Sequence, residues 1–506
     1  MMEGITDSLG DLPSSEMREA LHHMADWIAD YRETIATRAI VPDVQPGQVR
    51  SACSAAMPEQ GDAMAQILSD LDTVVMPSVV HWGHPAFLGY FGSTSNGPAL
   101  LGEMAAAALN VSAMTWKTSP AATELETVVL EWIRDLLGFP PHLFGVVYDT
   151  ASVAILHALA AARERVAPGT RRAGLIGRAD MPMLRVYASD QAHSSVDKAA
   201  VMLGLGEDNV ARVASDASYC MDVHALRAAI ADDIARGYRS MAVIATVGTT
   251  STASVDPVPE IASVCQEAGA WLHVDAAYGG ALGALAEGRW VTSGLEHADS
   301  IVVNPHKWLF VPLDFSALYV REPALLRSVF ANTPEYLRGD AGPDEMGGVI
   351  NYMDYGIQLG RRFRALKAWM VLRAFGREGV ASRIREHCRL AGVLVEWITA
   401  APLFVLAAPM TMAVVCFRHE PENMDAVATD ALNEKIVERV NASGDAYLTH
   451  TRLRGRVCMR VGIGNVETTI EHLRHVWARV VVEASNLAQD DTPCGTHNSA
   501  TSARIS

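Results

Sequence analysis

Residues 301–310 read IVVNPHKWLF: apolar, β-forming residues lead into a polar turn that carries a single lysine, Lys307. This pattern is typical of a buried strand that ends at the edge of a site. Moving an ammonium group out of water is costly unless a partner compensates for the lost hydration. Lys307 is therefore either a surface residue whose ammonium group reaches solvent or a functional amine.

A second stretch of similar design, residues 271–280 (WLHVDAAYGG), places Asp275 at the end of another apolar run. A lysine that forms a Schiff base and an acid that holds a pyridine nitrogen are the two groups that pyridoxal phosphate (PLP) requires. The segments HVDAAYGG and NPHKW resemble those of the group II PLP-dependent decarboxylases. NPHKW favours the aromatic-L-amino-acid decarboxylases, because glutamate decarboxylases usually have a serine and a glycine before the HK pair. The resemblance extends over roughly residues 15–480.

The fold that the resemblance implies is α/β, the PLP-dependent fold-type I. It predicts an N-terminal helical dimerisation arm (1–96), a large PLP-binding domain with a mixed, mostly parallel sheet (97–366), a small C-terminal α+β domain (367–485) and a disordered tail (486–506). Apart from the resemblance, strands and helices alternate from about residue 145 to 320. Such alternation predicts a mostly parallel sheet with ligand groups at the carboxyl ends of its strands.

The composition narrows the range of partners and compartments. The net charge of −17 argues against nucleic acid or an anionic membrane as a partner. Seven cysteines are dispersed without a CxxC pair, which predicts reduced thiols and a cytoplasmic protein. Residues 1–13 lack the basic and apolar regions of a signal peptide. The most apolar long stretch, 391–417, is interrupted by a glutamate and two prolines, so no membrane span is expected.

An amphipathic helix is predicted near the N-terminus. A serine at position 14 or 15 can cap a helix that begins near Glu16, and apolar residues from Met17 to Ile35 recur at spacings of three and four. Its apolar face packs either within its own domain or, as the resemblance implies, across a partner subunit. We therefore predict a homodimer.

A phosphate seat is predicted at residues 148–152 (YDTAS), because the first turn of a helix offers unsatisfied N–H groups and a positive dipole end. The resemblance implies that Ala151, Ser152, Asn304 and His306 hold the cofactor phosphate. The sequence differs from the usual family pattern at Asp149 and at the valine that follows Ser152. An acid beside a phosphate is unfavourable, so Asp149 is expected to point away.

The resemblance also implies the remaining cofactor contacts and the catalytic group. Lys307 would form the Schiff base, Asp275 would hold the ring nitrogen and His193 would stack on the ring. Thr250 would contact the ring oxygen, and Ala277 is a further predicted cofactor contact. A lone histidine is otherwise more often a satisfied or exposed residue. Tyr336, in the Gly- and Pro-rich segment 332–348, would be the general acid of a catalytic lid.

Further residues are predicted to line the substrate pocket: Trp82, Tyr90, Phe91, Ser93, Ser112, Met114 and Gly360. His81 and His84 have the spacing of a metal pair, but no second ligand cluster accompanies them, so no metal is predicted. The predicted reaction is the decarboxylation of an aromatic L-amino acid (Phe, Tyr, DOPA or Trp) to the arylalkylamine and CO2.

Two alternatives remain open. An aromatic aldehyde synthase uses the same scaffold, but both Tyr336 and His193 match the decarboxylases. A catalytically silent binding or scaffold protein is disfavoured, because Lys307, Asp275, His193 and Tyr336 are all present. The sequence leaves the preferred aromatic substrate undecided.

Overall fold

The computed structural model describes residues 11–53, 56–92, 94–331 and 349–490. These described residues divide into two compact units. The first comprises the chain up to Phe87, His419–Met459 and the chain from Ile470. The second comprises Leu88–Arg418 and Arg460–Thr469, and it contains every described site residue predicted above except Trp82.

The second unit is built on a seven-stranded sheet. Its strands, in spatial order, are β1 (Phe144–Tyr148), β7 (Ser316–Val320), β6 (Ser300–Val303), β5 (Trp271–Asp275), β4 (Arg239–Thr246), β2 (Leu184–Ser189) and β3 (Val210–Val213). Strand β7 is antiparallel to both of its neighbours, and the other pairs are parallel. The predicted mixed, mostly parallel sheet of fold-type I is confirmed.

The described residues of the two units form fifteen α-helices. In chain order they are α1 (Ser14–Thr34), α2 (Gln48–Ala52), α3 (Met64–Asp70), α4 (Gly97–Leu109), α5 (Pro120–Leu137), α6 (Ala151–Val166), α7 (Thr170–Ala173), α8 (Ser195–Met202), α9 (Val223–Ala235), α10 (Val258–Ala268), α11 (Pro305–Trp308), α12 (Pro323–Phe330), α13 (Ala365–Ala400), α14 (Ala426–Ala442) and α15 (Ile470–Asp490). Helix α13 is interrupted at Gly376, whose φ of 64° is left-handed. No helix of the described ranges is long and apolar enough to cross a bilayer.

Four short strands make up a second, smaller sheet: β8 (Phe404–Leu406), β9 (Val414–His419), β10 (Thr449–Leu453) and β11 (Arg456–Gly462). In the large sheet, β5, β6 and β7 are buried along their whole length. Burial on both faces explains why these strands are mostly apolar and lack a regular alternation of apolar and polar residues.

Helix α1 begins at Ser14, directly after Pro13, and runs to Thr34. It lacks a buried residue, and Met17 and Leu21 are each 44% exposed. Its later turns make contacts within the first unit. There the Tyr31 hydroxyl lies 3.0 Å from Nδ1 of His81. The predicted apolar face is therefore only partly covered.

Two buried histidines are held as neutral hydrogen-bonding groups. His387 of α13 accepts a hydrogen bond at Nδ1 from the Trp308 indole (3.0 Å) and donates from Nε2 to the Asn465 carbonyl (3.0 Å). His157 of α6 donates from Nδ1 to the Val153 carbonyl (2.7 Å) and accepts at Nε2 from the Ile357 N–H (3.1 Å). Burial lowers the pKa of each histidine to about 4.

These histidines should make the fold acid-sensitive. An unfolded histidine has a pKa of about 6.5, so the unfolded chain binds protons first as the pH falls. The stabilisation is complete above about pH 6.5 and is lost as the pH falls towards 4, by roughly 1.4 kcal/mol per histidine per pH unit. We expect a lower urea midpoint at about pH 5 than at about pH 7. His387→Asn should weaken this dependence, whereas His224→Asn, at an exposed position, should not. Equal wild-type midpoints would contradict the prediction.

Candidate active site

The carboxyl ends of three parallel strands meet at one edge of the large sheet. In the strand register, Thr246 of β4 pairs with Asp275 of β5, and Asp275 pairs with Val302 of β6. The loops that follow these strands therefore lie side by side. Asn304 ties two of them together, because its N–H donates to the Ala277 carbonyl (3.1 Å).

A cavity of about 150 Å³ opens at this edge. Predicted cofactor residues that line it are Ala151, Ser152, His193, Thr250, Asp275, Ala277, Asn304 and Lys307. Phe91, predicted for the substrate pocket, lines it as well. Segments more than 200 residues apart in the chain thus converge on one site.

Lys307 lies on the short helix α11, and its Nζ is 4.8 Å from the centre of the Phe91 ring. Burial lowers the pKa of this amine, and the attraction of the Asp275 carboxylate opposes that effect. Asp275 is 6% exposed, and its Oδ1 accepts the Ala277 N–H (3.1 Å). A desolvated amine is a better nucleophile than one that is fully hydrated and protonated.

His193 faces the same cavity and stays accessible to solvent. Its Nδ1 accepts the Ser195 N–H (3.2 Å) and lies 2.9 Å from the Ser195 hydroxyl. Partial burial lowers the pKa of His193, while Asp275 acts in the opposite direction. A neutral ring whose Nδ1 accepts carries its proton on Nε2.

The phosphate seat predicted at the start of α6 lines the cavity through Thr150, Ala151 and Ser152. Thr150 is the N-cap residue, and its side chain makes no capping hydrogen bond. The Asp149 carboxylate accepts the Thr150 N–H (2.7 Å), and Asp149 does not line the cavity. The first-turn N–H groups of α6 are thus left for an anion.

Three aromatic rings stack beside Lys307. The ring centres of Phe91 and Tyr278 are 4.0 Å apart, and those of Tyr278 and Trp308 are 4.8 Å apart. Tyr278 and Trp308 both stand in the motifs quoted above, although no role was predicted for them. Their signal was present in the sequence as aromatic residues next to Asp275 and Lys307.

Arg460 of β11 was missed altogether. It is 4% exposed, its guanidinium lies 4.7 Å from the centre of the Phe91 ring, and it donates to the carbonyls of Thr250 (3.1 Å), Ser251 (3.1 Å) and Tyr90 (2.7 Å). Its only signal in the sequence is a cation inside an apolar strand. Thr246, Gly248 and Ser195, which also line the cavity, were not predicted either.

Gly248 has a structural reason to be glycine. Its φ is +91°, and a Cβ there would lie 2.8 Å from the backbone nitrogen of Gly279. Any larger residue would be strained and would also push the two loops apart. The close approach keeps the loops after β4 and β5 together at the cavity.

Several predicted residues do not line this cavity. His306 is buried, and its Nδ1 accepts the Phe315 N–H (3.0 Å). The predicted substrate-pocket residues outside the lining are Trp82, Tyr90, Ser112, Met114 and Gly360. Ser93 and Tyr336 lie outside the described residues. Across the described ranges, no group of three or more His, Cys, Asp or Glu side chains is placed to hold a metal ion.

The lining residues fit PLP. An amine that can bind its aldehyde, a carboxylate for its ring nitrogen and helix N–H groups for its phosphate share one cavity. Thr246 also lines the cavity, and its buried hydroxyl has no hydrogen-bond partner among the residues that the structure describes. A buried polar atom of this kind is usually satisfied by a ligand, water or ion.

Comparison with known proteins agrees with this chemistry. Residues 46–420 match the family model of the pyridoxal-dependent decarboxylase conserved domain. The aromatic-L-amino-acid decarboxylase of Sus scrofa is 37% identical over 477 residues, which cover 92% of this chain and 96% of the relative. The phenylacetaldehyde synthase of Arabidopsis thaliana is 36% identical over 495 residues, which cover 96% and 99%.

Among solved structures, Oryza sativa TDC with PLP and tryptamine has the same fold. The TM-score is 0.90 at 34% identity, and the match covers 95% of this chain and 99% of that one. The match to the family model spans well over half of the chain. The chain therefore belongs to the pyridoxal-dependent decarboxylase family and is a PLP-dependent carboxy-lyase of fold-type I.

Proposed function

We propose that the protein decarboxylates an aromatic L-amino acid of the Phe, Tyr, DOPA or Trp class to the arylalkylamine and CO2. The observation that carries this proposal is the single cavity shared by Lys307, Asp275, His193 and the start of α6. The aromatic class is supported by relatives whose names specify aromatic amino acids and which match nearly the whole chain.

PLP, when bound, takes up the electrons that Cα gains as the carboxylate leaves. The Lys307 amine would hold the cofactor covalently, as the nucleophile for its aldehyde. Burial, which disfavours the ammonium form, makes Lys307 ready for this role. Asp275 would keep a proton on the ring nitrogen, because its buried carboxylate favours a positive charge beside it.

His193 positions the cofactor ring. Its hydrogen bonds to Ser195 fix the orientation of the imidazole, and its neutral form leaves the Nε2 proton available as a donor. Thr250 and Ala277 would complete the contacts with the ring, in keeping with their place in the cavity lining.

The first-turn N–H groups of Ala151 and Ser152, together with Asn304, would hold the phosphate. The Ser316 hydroxyl donates to the Asn304 side-chain oxygen (2.7 Å), which orients the amide. His306, also predicted as a phosphate contact, acts through helix α11, which carries Lys307. Its Nδ1 accepts the Phe315 N–H and so anchors this helix.

Tyr336 delivers the proton to Cα, a role carried over from the resemblance alone. Trp82, Tyr90, Ser93, Ser112, Met114 and Gly360 remain predicted substrate-pocket residues, a role that likewise rests on the resemblance. The alternative product is an aldehyde, and the similarity to a phenylacetaldehyde synthase keeps this possibility open to test.

The functional form is a homodimer. Helix α1 exposes Met17 and Leu21 (44% each), and α4 exposes Leu101 (62%) and Leu109 (59%). Large exposed apolar side chains that recur on one helix favour a protein interface over bare solvent.

The division into arm, large domain and small domain remains a prediction. A cytoplasmic location is supported by the six described cysteines, among which no disulfide is formed.

The variants Lys307→Ala and Asp275→Asn should lose activity for different reasons. Lys307→Ala removes the amine, so the absorbance of covalently held PLP and amine production should be lost together. Asp275→Asn keeps an acceptor for the Ala277 N–H, so the cofactor should remain bound. The reaction should be slower, because the activation barrier should rise by on the order of 2–4 kcal/mol. Lys435→Ala, an exposed lysine, is the control. A borohydride-reducible adduct in active Lys307→Ala would contradict the assignment.

Tyr336→Phe tests the proton donor and the product together. If Tyr336 protonates Cα, the variant keeps the ring but loses the acid, so product should shift from amine towards aldehyde with oxygen uptake. Amine, aldehyde and oxygen consumption would be measured on both proteins with a panel of aromatic amino acids. Unchanged amine yield without oxygen uptake would mean that another group delivers the proton. Aldehyde from the wild type would favour the synthase.

The dimer can be tested by light scattering of the full chain and of a chain that lacks residues 1–40. The full chain should have the mass of two copies. The shortened chain should lose both dimer and activity, because the exposed face of α1 would be removed. An active, well-folded monomer in either case would refute the homodimer.

A further inference from the structure

A buried ion pair is bonded to strand β1, which leads directly into the phosphate seat. Glu126 of α5 and Arg361, which follows Gly360, are joined by two hydrogen bonds of 2.6 and 3.0 Å. The two side chains are only 3% and 5% exposed. The paired fork of the guanidinium is the geometry that distinguishes arginine from lysine.

The pair makes further bonds to the backbone of two other segments. Arg361 donates to the carbonyls of Ala113 (2.9 Å) and Val147 (2.9 Å), and Glu126 accepts the Val147 N–H (3.1 Å). The backbones of Arg361 and Ala113 also meet, because the Ala113 N–H donates to the Arg361 carbonyl (2.8 Å). The Tyr352 ring lies 4.9 Å from the guanidinium carbon.

These contacts connect both sides of the proposed site. Val147 belongs to β1, and the chain continues from it directly to Thr150–Ser152, which line the cofactor cavity. Ala113 lies between Ser112 and Met114, and Arg361 follows Gly360. The phosphate seat and the predicted substrate-pocket segments are therefore attached to the same pair of side chains.

Stability alone is a weak reason to bury such a pair. The desolvation of two charges can exceed their attraction, and apolar residues of similar volume often stabilise a core equally well. An ion pair differs from apolar packing in its directional bonds. Here those bonds determine how far β1 lies from residues 112–114 and from residue 361.

We propose that the Glu126–Arg361 pair is a positioning element that sets the distance between the cofactor phosphate seat and the substrate-side segments. It thereby controls PLP affinity and the size of the aromatic side chain that the enzyme accepts. The second part rests on the proposed function, whereas the first concerns cofactor binding alone. Neither side chain lines the cavity, so neither is a catalytic residue.

The test compares Glu126→Gln and Arg361→Lys with the wild type. Glu126→Gln keeps the size of the side chain but loses its charge, and Arg361→Lys keeps the charge but loses the fork. Each should weaken PLP binding by about tenfold or more, measured by titrating PLP into the full chain and following fluorescence quenching. With saturating PLP, KM should rise more than kcat falls. The ratio of kcat/KM for tryptophan to that for phenylalanine should change.

Asp233→Asn is the matched control. Arg185 and Asp233 form a partly buried pair (2.9 Å; side chains 14% and 5% exposed) that joins the amino end of β2 to α9, away from the cavity. This variant should lower the unfolding temperature and leave the PLP dissociation constant and KM within about twofold of the wild type.

The outcomes separate the two proposals. If folded Glu126→Gln and Arg361→Lys bind PLP as the wild type does, or if Asp233→Asn weakens PLP binding equally, the positioning role is overturned. If Glu126→Gln does not fold, Arg361→Lys decides by the same criteria. A wild type that makes no amine from any aromatic amino acid would refute the proposed function, and the PLP titration would still decide the positioning role.

Discussion

The structure of the site depends on the free-energy cost of burying charged groups where the carboxyl ends of parallel strands meet. Lys307 and Asp275 lie in one cavity, where burial disfavours the ammonium form and the carboxylate favours it. Each group offsets part of the cost of burying the other, because a buried charge without a partner is destabilising. The same balance that makes the two residues compatible with folding also leaves the amine reactive.

The surroundings of this pair hold it rigidly. On one side lie the stacked rings of Phe91, Tyr278 and Trp308, and the Trp308 indole is itself bonded to the buried, neutral His387. On the other side the loops after the strands are joined by backbone bonds such as that from Asn304 to Ala277. Rigid support of this kind keeps reacting groups in place and reduces the reorganisation needed during the reaction.

Some features could be predicted because they depend on short, continuous stretches of sequence. Strands β5 and β6 were predicted close to their observed bounds, because strands buried on both faces are mostly apolar along their length. Helix α1 begins slightly earlier than predicted, since Pro13 precedes the first turn and neither serine caps it. Proline is compatible with the start of a helix, so the turn can form without a side-chain cap.

The sequence by itself determined the fold class, the cofactor and most of the residues that line the cavity, because motifs such as NPHKW combine local structure with reactive groups. Only the tertiary structure shows that Arg460 lies against Phe91. It alone also shows that Glu126 pairs with Arg361, which is 235 positions later in the chain. It also showed that His306 bonds to Phe315 outside the cavity lining. The physical reason is that local patterns report burial and propensity, whereas the choice of a distant partner depends on packing and charge summed over the whole fold.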